Sequence, residues 1–311
     1  MSDITAEGGT VGPIGGAAGA GMVYALIAVV GAGLWLASAR YPADMPVIGP
    51  YAFEAPIYGA VTLSLYWYLR GLRRLTRLGR AAPALWRRVV FLAGLALIWI
   101  AVQTGFEYLA QRMFFLNRIQ HVALHHVGPV LLGLSMAGPV ILAGGPDWLR
   151  RLCATGPARR MMRVVQHPAL ATGLFVGLFW FWLIPPVHFV AMLDPTLYQL
   201  MNWSMAVDGI LFWAMVLDTR PRAQTGVSFG LRAALAVAVM FPQIVLGALI
   251  TFATRDLFPY YAYCGRYFPG IDAVTDQQIG GIVIWIPPAM MSVLALIAVL
   301  NNMRRAEAQR A

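Results

Sequence analysis

The residues with the chemistry to bind or move something are few, and they sit in apolar sequence. His121, His125 and His126 fall in the run FFLNRIQHVALHHVGPVLLGLS. His188 follows Pro185-Pro186 in a second apolar run, and Asp208 lies in the middle of a third. Glu107 and Asp276 stand at the margins of two others, and His167 opens the run HPALATGLFVGLFWFW. Asn117, His121 and His125 are spaced i, i+4 and i+8, which predicts one stripe on a helix, with His126 turned about 100° from His125. Met201 and Met205 form a second i, i+4 pair, with Asn202 beside them. Imidazole and thioether together suit copper, above all Cu(I). The spacing nominates His121 and His125 as metal ligands, with His188 and Met205 as weaker partners. Glu107, Asn117 and Asp276 are candidates to orient a ligating imidazole or to line the way in. A plainer role is open to the same histidines, bonding one another or a backbone carbonyl across a helix contact. His126 reads as a packing residue. In a chain with 15 methionines, Met201 and Met205 also fit ordinary core filling. A heme held between His188 and either His121 or His125 is a further possibility.

The elements that must hold these groups are membrane helices. Of 311 residues, 59% are hydrophobic and 12% charged, against about 25% charged in an ordinary soluble domain. Mean hydropathy is +0.68. That balance excludes a soluble enzyme, a disordered chain and a nucleic-acid-binding domain. It predicts an all-α fold, a polytopic transmembrane helix bundle of about eight spans. The spans are expected at roughly 19–38, 52–70, 89–110, 119–143, 167–187, 197–217, 230–253 and 279–301, each long enough to cross about 30 Å of hydrocarbon. Demoting the first or second gives seven. The flanks then read as a flexible N-terminal tail (1–18) and a C-terminal tail (302–311), around a single transmembrane domain (19–301). The N-terminal residues lack a basic region, so the first apolar segment is expected to remain as an anchor.

The charge pattern orients the bundle. All 23 basic residues are arginine, set against 13 acids for a net charge of +10. Only Arg40, Arg112, Arg118, Arg255 and Arg266 fall in one set of loops; the others fall in or beside 71–88, 144–166, 218–232 and the C-terminal tail. That asymmetry places both termini in the cytoplasm. Cys153 and Cys264 then lie on opposite sides of the bilayer and cannot pair. The aromatic loop 254–278 is expected at headgroup level. His121, His125 and His188 fall in the outer half, and His167 at the cytoplasmic surface. An ionisable group inside a span is a functional candidate by default. There is no Walker A sequence, no dinucleotide GxGxxG at a strand–helix junction, no HExxH and no GxSxG.

Several stretches, in order, carry a family resemblance from about residue 57 to 301. They are YWYLRGLRRLTRLGR, FLNRIQHVALHHVGPVLLGLS, HPALATGLFVGLFWFWLIPP, GILFWAMVLD, GLRAALAVAVMFPQIVLGALITFATRDLFPYYA and DQQIGGIVIWIPPAMM. The chain resembles the multi-span CtaG family of cytochrome c oxidase assembly factors associated with caa-type oxidases. His121, His167 and Asp276 match the family's pattern residue by residue. Asn117 stands where the family has a histidine, Trp182-Leu183 where it has Trp-His, and Met201-Asn202 where it has Glu-His. The resemblance implies an assembly factor of the bacterial inner membrane, not an enzyme. Such a protein contacts a heme–copper oxidase subunit or its assembly partners; the outer-half His/Met stripe motivates a part in delivering or inserting copper. The departures leave a metal-free membrane scaffold or oxidase-associated subunit as the main alternative. A heme-binding membrane oxidoreductase and a transporter follow.

Overall fold

The structure is a computed structural model that describes residues 17–308. Most of the expected N-terminal tail (1–18), and residues 309–311, lie outside that range. Among the described residues the regular structure is entirely helical. In order the helices are α1 (Ala17–Arg40), α2 (Ala55–Arg77), α3 (Leu85–Val102), α4 (Phe106–Ala110), α5 (Phe114–Val122), α6 (Gly128–Ser135), α7 (Gly138–Gly144), α8 (Asp147–Ala154) and α9 (Gly156–Val165). There follow α10 (Pro168–Phe181), α11 (Pro185–Leu193), α12 (Pro195–Val216), α13 (Arg222–Thr225), α14 (Phe229–Ala238), α15 (Met240–Thr251), α16 (Tyr260–Tyr263) and α17 (Ala273–Ala308).

Four stretches are long and apolar enough to cross a membrane as they stand: Gly19–Arg40, Leu85–Val102, Phe229–Thr251 and Ala273–Ala308. Two bent pairs, α5–α6 with α7 (71°) and α9 with α10 (59°), raise the number to six. α2 and α12, of 23 and 22 residues, are long enough but too polar to join them. The chain is an all-α membrane protein.

Several expected spans are broken where the sequence explains it. The segment expected as 119–143 begins at Phe114 and stops at Met136, which sits in the left-handed region at φ 52° before α7 turns away. The segment expected as 89–110 ends at Val102, so Glu107 belongs to the separate short helix α4. Pro185-Pro186 starts α11 rather than kinking α10, because proline suits the first helical turn. Asp194 caps α12, accepting from the N–H groups of Thr196 (2.7 Å) and Leu197 (3.0 Å). The last helix runs on to Ala308, so residues 302–308 of the expected tail are helical.

Contacts between loops close one end of the bundle. The Gly105 N–H donates to the Val47 carbonyl (2.8 Å), and Tyr108 stands against both Tyr51 and Tyr267. The loop before α17 does not simply lie at the surface as expected. Phe258, Tyr260 and Tyr261 turn inward and are buried. At the other end, buried Arg232 donates to the carbonyls of Asp218 and Arg220 and to Thr225 Oγ1, holding the loop 218–228 together. α1 is nearly all exposed. It is tied to α2 by Tyr58 Oη donating to the Ile27 carbonyl (2.8 Å) and Trp67 Nε1 donating to Tyr24 Oη (3.0 Å).

Candidate functional site

The site is built on the rod formed by α5, the five residues after it, and α6. The first turn of a helix leaves backbone N–H groups unsatisfied. In α5 the Asp276 carboxylate takes two of them, from Phe114 (2.9 Å) and Phe115 (2.8 Å), and also pairs with Arg266. Asp276 is therefore the anchor between α5 and α17, not a group facing the histidines. Gly280, one turn further along α17, leaves room for the Phe114 ring; a Cβ there would stand 2.3 Å from it.

The rod is not a regular α-helix. Residues Ala123–Val127, ALHHV, form a π-helical turn. Such a turn holds an extra residue and appears often at functional sites. It disrupts the expected Asn117–His121–His125 stripe. All three remain buried, and so does His126. His125 is carried toward α12, where its Nε2 lies 3.2 Å from Asp208 Oδ2. Its Nδ1 lies 3.2 Å from His126 Nε2, and Gln243 of α15 completes the chain at 3.4 Å. The His125 ring stacks on Phe175, centroids 3.9 Å apart. Gly209 lets α12 approach this turn, since a Cβ there would stand 2.5 Å from the His125 carbonyl oxygen.

His188 is held on both sides. Its Nδ1 lies 3.2 Å from the Trp182 carbonyl oxygen, a pure acceptor, so Nδ1–H donates. Its Nε2, 3.0 Å from Tyr261 Oη, is left to accept the phenol proton. His121 differs from the other histidines of the site: it is buried, and neither ring nitrogen has a hydrogen-bond partner. Asn202 of α12 is beside it, with Arg118, His188 and His125 in electrostatic range. Met201 and Met205 are fully buried on α12, one before and three after Asn202. Met192, which the sequence reading passed over, brings its sulfur to 3.9 Å from Asn117 Nδ2.

Arg118 is a correction to the expected layout. It does not lie in a loop but inside α5, 1% exposed. Its guanidinium stands over the Phe114 ring (5.0 Å), and Nη2 donates to Asn117 Oδ1. Nε and Nη1 have no partner. Glu54, near the start of the expected span 52–70, is not among the sequence-derived candidates. It is 1% exposed, and its Oε1 accepts from Asn202 Nδ2 at 3.2 Å. Glu107 is fully buried, in electrostatic range of Glu54 and beside the Ala52 backbone.

The candidate ligands are thus all buried within the bundle but not brought into one ligand shell. His125 and His188 are engaged by protein groups, and His121 is open. Among the described residues no group of three or more His, Cys, Asp or Glu is placed to hold a metal ion. His167 lies apart, in an open hollow of about 450 Å³ with Arg160 and Arg163. A buried guanidinium without an ion pair and a lone buried carboxylate are the signals that point to Arg118 and Glu54.

Fold and site together define a polytopic helical membrane protein with a polar, histidine-bearing interior. A family model described as cytochrome c oxidase caa3 assembly factor (Caa3_CtaG) matches residues 66–306. The chain belongs to that family. Membership implies association with a cytochrome oxidase or its assembly machinery. No curated protein and no solved structure matches the chain.

Proposed function

We propose that the chain is an assembly factor that handles copper for a heme–copper oxidase, in the cytoplasmic membrane of a bacterium. The observation that carries this reading is His121: a buried imidazole with neither nitrogen hydrogen-bonded, in a member of an oxidase-assembly family. A soft ion such as Cu(I) suits nitrogen and sulfur ligands at low coordination number. His121 would be the principal ligand and Met205 a second. His125 and His188 would join only by giving up Asp208 and Tyr261. The nearby Arg118 charge opposes a resident cation, which favours brief holding and release over storage. Asn117 would shape the approach, and no turnover chemistry is required.

Orientation supports the same picture. Counting α2, α12 and the bent segments as spans gives eight, with both termini cytoplasmic. Removing Arg118 from the outer loops sharpens the arginine asymmetry. The histidines then sit toward the outer face. The assembly role is tested by solubilising the tagged chain in mild detergent from its native membrane and identifying co-purifying proteins. A heme–copper oxidase subunit is expected, and an oxidase assembled normally in cells lacking the chain would refute the role.

A second reading, a metal-free scaffold for the oxidase, is favoured by one observation: His125 and His188 are both held by protein partners. It predicts the same co-purification without copper.

A further inference from the structure

Beside the histidines lies a group of side chains with the opposite deficit. Glu54 Oε2, Gln103 Oε1, Asn202 Oδ1 and both carboxylate oxygens of Glu107 are buried, and none has a hydrogen-bond donor. The other three side chains gather about Glu54. Gln103 Nε2 donates to its carbonyl (2.6 Å), Asn202 Nδ2 donates to its Oε1 (3.2 Å), and Glu107 is in its electrostatic range. The Gln103 and Asn202 amides are fully buried, each turned to Glu54 by its nitrogen, with the oxygen left over. Neither carboxylate is in an ion pair among the described residues. An isolated buried acceptor is costly, and a buried carboxylate without a counter-charge more so. Protonating both carboxyls would turn two of the five acceptors into donors and leave three to fill, one more than the two protons supply.

We infer that Glu54, Gln103, Glu107 and Asn202 form a binding site for a hard divalent cation, Ca²⁺ in preference to Mg²⁺. Two carboxylates and two amide oxygens are the donors such an ion takes, and the flexible shell of Ca²⁺ suits ligands drawn from four segments. The ion ties the N-terminus of α2 and the α3–α4 turn to α12. The loop 41–54 covers it, bonded through Val47 to Gly105. This site differs from the copper reading, because oxygen donors suit hard ions, whereas imidazole and thioether suit soft ones.

The test uses the full chain in detergent, stripped with EDTA, followed by tryptophan fluorescence on heating and by ⁴⁵Ca²⁺ equilibrium binding. One Ca²⁺ per chain is expected, and saturating Ca²⁺ should raise Tm by about 5 °C. Mg²⁺ should raise it less. Glu107→Gln should weaken Ca²⁺ binding at least about tenfold and abolish the shift, while His121→Ala should leave both intact. Glu54→Gln serves as the second variant should Glu107→Gln not fold. Wild-type protein that binds no Ca²⁺, or a shift that survives both Glu107→Gln and Glu54→Gln, overturns the proposal.

Discussion

His125 Nε2 stands 3.2 Å from Asp208 Oδ2, and this contact joins the π-helical turn to the middle of α12. Removing one partner leaves the other buried and unsatisfied, which costs about 1–3 kcal/mol. Asp208→Ala and His125→Ala should each destabilise by that amount. The double variant should lose clearly less than the sum, because the two act through one interaction. Thermal unfolding of the four proteins in one detergent checks this.

Gly209 sets how closely α12 can approach that turn. A methyl group there would meet the His125 carbonyl at 2.5 Å, backbone that cannot swing aside. Gly209→Ala should cost about 1–3 kcal/mol by overpacking. Gly173→Ala is the control, since nothing lies within 4 Å of a Cβ at that position in α10. It should be neutral or slightly stabilising by helix propensity. Equal effects of the two substitutions would remove the packing argument.

Asp276 is predicted to act on α5 rather than on a metal. Its carboxylate holds the N–H groups of Phe114 and Phe115 and pairs with Arg266. Asp276→Ala should destabilise by about 2 kcal/mol, the upper range for a lost cap, and leave the Cu(I) stoichiometry of the folded fraction unchanged. A fully folded Asp276→Ala protein that has lost copper would place the residue in the metal site instead.

The natural cysteines report the orientation. Cys153 and Cys264 are both partly accessible and unpaired. With eight spans and cytoplasmic termini, a membrane-impermeant thiol reagent should label Cys264 in intact cells. Cys153 should be labelled only after permeabilisation. The single variants Cys153→Ala and Cys264→Ala identify each band. Labelling of both cysteines from the same side would break the eight-span arrangement.

Much of this architecture was legible in the sequence because a bilayer leaves few choices. Long apolar runs must be helices, and capping sequences such as Asp194-Pro195 mark where they start. The family was legible too, through runs such as DQQIGG at 276–281. What failed was the step from spacing to faces. Counting by i+4 assumes a regular α-helix, and nothing in ALHHV announces the extra residue that sends His125 to Asp208. Arg118 was assigned to a loop because a charge ordinarily belongs outside a span. Its contacts with Asn117 and Phe114 are local to α5; what the sequence hid was its burial by the rest of the bundle. Glu54 looked like a span edge because its partners, Gln103 and Asn202, lie 49 and 148 residues away in the chain.

The central claim is that a copper ion is held at His121. Its most direct test is anaerobic Cu(I) titration of the detergent-purified, EDTA-stripped chain against a competing chelator, for wild type, His121→Ala and His125→Ala. The account predicts near-stoichiometric Cu(I) in the wild type, loss of binding in His121→Ala, and at most a modest weakening in His125→Ala, whose ring is already engaged by Asp208. No Cu(I) in the wild type, or unchanged binding in His121→Ala, would contradict it and leave the metal-free scaffold as the working description.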